Sequence, residues 1–166
     1  TAADTGRTSY SMGAAGLSIN WIYKRLLLNQ NPEFENPEYI IYVFINDHIR
    51  RLFAFEILMN TENIRYKIKN GRLEETKSIL NYLYSSFFIK KLARTIAAKE
   101  RKKEIKDGYP LFNKLLFETK KIIDSRYKDT KFVLLEYPQL KDENRLPEEE
   151  IEKIKSMGII YINAEE

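Results

Sequence analysis

The apolar and polar positions fall into two alternating kinds of segment. YIIYVFI, residues 39–45, is β-branched and aromatic with no polar position. Such a run reads as a strand covered on both faces of a parallel sheet, and it is expected to be central. KFVLLEYP, 131–138, is a second short apolar run, stopped by Pro138, and IIYINA, 159–164, is a third. TSYSMG, 8–13, reads as a further short strand that ends in the small-residue turn GAAG, 13–16. The segments between them carry helical spacing.

SINWIYKRLLLN, 18–29, is the first of these, with Leu17, Trp21, Arg25 and Leu28 recurring at three and four residues and Ser18 as its candidate cap. NQNPEFENP then closes it with Pro32 and Pro37 in a polar loop. DHIRRLFAFEILM, 47–59, predicts a helix with Asp47 near its positive end. Residues 77–106 form a long helical pattern whose apolar first half gives way to a charged second half, so it is expected to pack first and project afterwards. PLFNKLLFETKKIIDSRY, 110–127, is helical again. LPEEEIEKIKSMG, 146–158, has Pro147 near a helix start, Glu in the first turn, Lys in the last and Gly158 as the cap. IRYKIKNGRLEET, 64–76, breaks the sequence of helices: polar and apolar residues alternate around Asn70-Gly71, the mark of a tight β-hairpin.

Strands alternating with helices imply an α/β fold with a mainly parallel sheet. The chain reads as a single domain, residues 1–166, with a hairpin and long-helix insertion at about 60–107. Ligands in such sheets bind beyond the carboxyl ends of the strands. Here those ends are Gly13 to Gly16, Asn46 to His48, and Glu136 to Pro138.

Composition narrows the function classes only a little. With 43% hydrophobic and 31% charged residues the mixture is that of a globular domain. The net charge of +4 is a small difference between 28 basic and 24 acidic residues that are interspersed, which permits a nucleic-acid partner without implying one. The absence of cysteine excludes a disulfide framework, a Cys-ligated zinc site and a thiol nucleophile. No apolar run reaches the roughly 18 residues of a membrane span.

Four places carry candidate chemistry. Asn46, at the end of the most apolar run, could donate hydrogen bonds to a developing oxyanion, or could cap the helix that follows. GAAG could bring backbone N–H groups close to a ligand, or could let helix pack tightly on strand; it is neither a phosphate loop nor a dinucleotide fingerprint. His48, the chain's one histidine, has the pKa range of a general base, and Ser11 or Ser18 with Asp47 would complete a triad. Asp47 and His48 are adjacent and point in different directions, which favours a structural or pocket-lining His48. KERKKEIKDG, 99–108, is the densest basic segment, but Glu100 and Glu104 interrupt it at the spacing of a solvated helix face. The aromatic residues Phe87, Phe88, Tyr82 and Tyr84 read as core.

Taken in order, YSMGAAGLS, PEYIIYVFINDHIRR, IKNGRLEE and KFVLLEYP resemble the SGNH hydrolases, the GDSL-type esterase and acyltransferase superfamily. The similarity covers most of the chain. It is nearest to a bacterial branch in which the Asn block is followed by an acidic residue, His and Arg, and then by a hairpin and helix insertion. The resemblance implies a three-layer sandwich with a flavodoxin-like sheet, serine chemistry without metal or cofactor, and an ester or O-acylated small molecule, carbohydrate or lipid as substrate. It assigns Gly16 and Asn46 to the oxyanion hole and leaves Asp47 and His48 as pocket lining. The family's Gly-Asp-Ser and Asp-x-x-His blocks do not occur in the sequence. The expectation is therefore an internal piece of the parent domain, inactive alone, lacking the first strand and open to self-association along an apolar sheet edge. The alternative is a noncatalytic α/β interaction module, and a weaker one is a nucleic-acid binder using the basic helix near 99–106.

Overall fold

The computed structural model describes residues 18–30, 36–45, 47–53, 65–76, 105–137 and 145–165. Among these, helix α1 (Ile19–Leu27) precedes strand β1 (Tyr39–Phe44) and helix α2 (Asp47–Phe53). A hairpin of β2 (Arg65–Lys69) and β3 (Arg72–Thr76) follows. A 3-10 turn at Ile105–Gly108 then leads into α3 (Tyr109–Arg126), β4 (Lys131–Glu136), α4 (Glu148–Ser156) and β5 (Ile160–Asn163). Strands β1, β4 and β5 pair in that order, all parallel, with Ile41 opposite Val133 and Val133 opposite Ile160. The chain is thus α/β with a small parallel sheet.

Local chemistry explains most element boundaries. Asn70 and Gly71 both have positive φ, 50° and 74°, which is the turn geometry that matches the twist of a hairpin. Pro110 stands in the first turn of α3, where no intrahelical N–H is needed. Glu148, Glu149 and Glu150 open α4, Lys153 and Lys155 close it, and Gly158 turns the chain out at φ +75°. Ser18 occupies the N-cap position of α1 with extended backbone, but its hydroxyl donates to the Asn20 side chain and makes no capping bond.

The sheet has two unlike faces. Ile40, Tyr42 and Phe44 of β1 point with Phe132 and Leu134 of β4 into a core closed by Ile19 and Leu26 of α1, Ile49 and Leu52 of α2, Phe112, Leu115 and Leu116 of α3, and Ile151 and Ile154 of α4. Phe44 and Phe112 pack within it with 5.0 Å between ring centres and their planes tilted by 34°. On the opposite face the outer positions are exposed, Ile41 57%, Val43 50%, Ile160 40% and Ile162 46%, while Val133 between them is buried. The reason is topological. The crossovers β1 to β4 and β4 to β5 step in the same direction, and right-handed crossovers that do so place their helices on the same side.

Three expectations change accordingly. YIIYVFI is not central among the described strands; β4 takes the middle position and β1 is an outer strand buried on one face. The buried stripe of α1 is Ile19, Ile22, Tyr23 and Leu26, whereas Trp21 and Arg25 form a cation–π pair at 4.5 Å and Leu28 is exposed. Ile105 and Lys106, expected as the end of a long helix, lie in the 3-10 turn. The strand at 8–13, the GAAG turn, residues 54–59 of the second helix, most of the 77–106 helix and Pro138 lie outside the described residues.

Candidate functional site at the carboxyl ends of the strands

The carboxyl ends of β1, β4 and β5 are tied into one rim by backbone hydrogen bonds. Tyr137 N–H donates to Phe44 C=O at 2.8 Å, and Ala164 N–H donates to Glu136 C=O at 3.0 Å. Glu136 anchors this rim with its side chain too. It is 5% exposed, accepts from the Leu146 N–H at 3.1 Å, and accepts the Tyr161 hydroxyl on its other oxygen. A buried carboxylate without donors would be costly, so these two bonds hold the β4 tip, β5 and the entry to α4 in a fixed relation. Arg145 and Glu165 form an ion pair beside it.

The β1 end leads straight into α2. β1 stops at Phe44, α2 begins at Asp47, and His48 N–H donates to Ile45 C=O at 2.8 Å. His48 turns back over the strand it has just left. Its Nδ1 shares a 2.8 Å hydrogen bond with the Tyr42 hydroxyl, its ring stacks on Tyr42 at 5.8 Å, and it meets Phe44 edge-on at 6.1 Å. The imidazole is thereby oriented by the helix-covered core. Asp47 lies in the first turn of α2, where a carboxylate is favoured by the helix dipole.

Of the sequence-predicted site residues, Asp47 and His48 lie at this rim, while Gly16, Asn46 and Ser11 lie outside the described residues. Ser18, the other serine considered with His48, sits at the start of α1 with its hydroxyl on Asn20. Among the described residues no cluster of His, Asp and Glu is arranged to hold a metal ion, and no helix is long and apolar enough to cross a membrane.

Glu136 is the rim residue that sequence reasoning passed over as a mere strand end. A signal was present: it stands two steps beyond Leu134 and four beyond Phe132, on the inward face of an apolar run. A carboxylate in that register must find buried donors. Elsewhere, Tyr23 and Tyr66 meet edge-to-face at 5.1 Å where the hairpin packs on α1. Burial raises both hydroxyl pKa values, Glu118 adding to the effect at Tyr23 and Glu75 at Tyr66. Both therefore stay neutral, as packing residues would. No family model, curated protein or solved structure matches the chain.

Proposed function

We propose that the chain is the middle of an SGNH-type hydrolase or acyltransferase domain that acts on an ester or O-acyl group. The observation that carries this reading is the strand-to-helix passage around FINDH: a parallel strand ends at Phe44, a helix starts at Asp47, and the next two strands of the sheet follow in chain order. In this reading the Asn46 amide belongs at the carboxyl edge, where α/β sheets bind ligands. In this reading a serine beyond the chain attacks the carbonyl carbon and a histidine beyond it takes the serine proton and returns it to the leaving oxygen. The Gly16 N–H and the Asn46 side-chain amide donate to the oxyanion of the tetrahedral intermediate.

His48 has a different part here. Its Nδ1 shares a hydrogen bond with the Tyr42 hydroxyl, which holds the start of α2 against β1; in this reading His48 and Asp47 line the pocket. A protein extended at both ends should react with a serine-directed phosphonate. In that protein Asn46→Ala should lower kcat about 100- to 1,000-fold with little change in KM, the loss of one oxyanion donor. An extended protein that does not react overturns the proposal.

A noncatalytic interaction module is the second reading, and the apolar face of the sheet favours it. On that reading the surviving pocket or the exposed β1 edge binds a partner, here a second copy. That reading expects no phosphonate labelling, and a concentration-dependent sedimentation coefficient that a proline at Ile41 abolishes, since proline withholds an edge N–H.

A further inference from the structure

We infer that Tyr42 and His48 are positioning residues for the Asn46 amide, because the hydrogen bond between them closes the chain into a loop across position 46. The inference rests on the hydrolase reading. Tyr42 belongs to the buried face of β1, and its hydroxyl shares a 2.8 Å hydrogen bond with Nδ1 of His48, six residues further on. The two rings also stack, at 5.8 Å between centres, and the imidazole meets Phe44 edge-on.

The main chain is fixed on both sides of position 46. Phe44 C=O accepts from the Tyr137 N–H at 2.8 Å, which ties the last residue of β1 to the tip of β4. Ile45 C=O accepts from the His48 N–H at 2.8 Å, which turns the chain into α2. That helix has seven residues, far short of the roughly 12–15 that an isolated helix needs, so it takes its place from tertiary contacts. Ile49 and Leu52 anchor its buried side in the core. The Tyr42–His48 bond joins its first turn to the strand.

An oxyanion donor needs such fixity. It acts within about 2.7–3.1 Å of the developing charge, and a misplacement of about 1 Å costs on the order of 100-fold in rate. Asparagine has a short side chain, so the position of its amide follows that of its backbone.

The atom used separates positioning from proton transfer. Nδ1 is bonded to Cγ, and an asparagine at position 48 would also carry its amide atoms on Cγ, the same number of bonds from the backbone. A glutamine would carry them one bond further out. An amide can share the hydrogen bond with Tyr42 but takes up no proton near neutrality, so it can replace a positioning histidine and not a general base.

The test uses the protein extended at both ends, with p-nitrophenyl acetate as substrate and the serine-directed phosphonate as label. Tyr42→Phe keeps the ring and removes the hydroxyl; it should lower kcat about tenfold with little change in KM. His48→Gln should do the same, and His48→Asn should recover most of the lost rate. In an Asn46→Ala background Tyr42→Phe should change kcat less than about twofold, since no amide is left to position. The variants should keep the parent's circular dichroism, and the two His48 variants serve if Tyr42→Phe does not. An active, labelled parent whose kcat Tyr42→Phe leaves unchanged would overturn the inference and leave the hydrolase reading standing. So would an equal loss in the Asn46→Ala background, or His48→Asn no faster than His48→Gln. A parent that neither hydrolyses the ester nor takes the label overturns both.

Discussion

At the scale of single residues, buried carboxylates reveal what the hydropathy pattern hides. Glu136→Ala removes the acceptor for the Leu146 N–H and the Tyr161 hydroxyl. It should cost about 1–3 kcal/mol in urea unfolding, because the donors stay buried and unpaired. Tyr161→Phe should cost less, and the double variant less than the sum of the two, since both act on one network. Glu118 gives a pH signature. Burial pushes its pKa up, but hydrogen bonds and charge from Lys114 and Lys121 outweigh this and leave it below the ordinary 4.5. A depressed carboxylate stabilises above its unfolded pKa and loses that contribution as pH falls through the folded value. The stability difference between the parent and Glu118→Gln should therefore be full at neutral pH, roughly 0.3–0.5 kcal/mol after solvent screening, and vanish in the acid limb below pH 4.5. Denaturation curves from pH 3 to 7 would check it.

At the scale of elements, spacing located the hairpin, α3, α4, β4 and β5 because each carries its own local signal. Asn70-Gly71 is the clearest. Gly71→Ala meets no atom within 4 Å, so its whole cost comes from holding an alanine at φ +74°. About 1 kcal/mol is expected in thermal or chemical unfolding. An unchanged midpoint would mean that the turn has another geometry. The position of β1 in the sheet was not legible, for a physical reason. An unbroken apolar run states that both faces of a strand avoid water, but not whether this chain supplies both covers. The stripe on α1 misled similarly: Trp21 and Arg25 recur at helical spacing yet pair with each other beside the core. Of the candidate site, the strand-to-helix passage at Phe44–Asp47 was readable from its polar stop, while the inward turn of His48 onto Tyr42 was not, since it depends on the ring's rotamer over the strand.

At the scale of the molecule, helices from both ends of the chain converge on one side of the sheet, and Phe112 of α3 is fully buried against Phe44 of β1. Phe112→Ala should cost about 3–5 kcal/mol and broaden the unfolding transition, as removal of a central aromatic leaves a cavity that neighbouring helices close only in part. The sheet's connectivity has a kinetic meaning as well. The Thr130 hydroxyl donates to Pro37 C=O at 2.5 Å, a bond between residues 93 apart in sequence that pins the first strand of the sheet to the second. Val133 finds Ile160 across a far shorter loop, so β4, α4 and β5 can assemble with about 1 kcal/mol less closure entropy than β1 requires. β1 should thus arrive last in folding. Thr130→Ala should speed unfolding and leave the refolding rate nearly unchanged in stopped-flow measurements, whereas Ile154→Val should slow refolding.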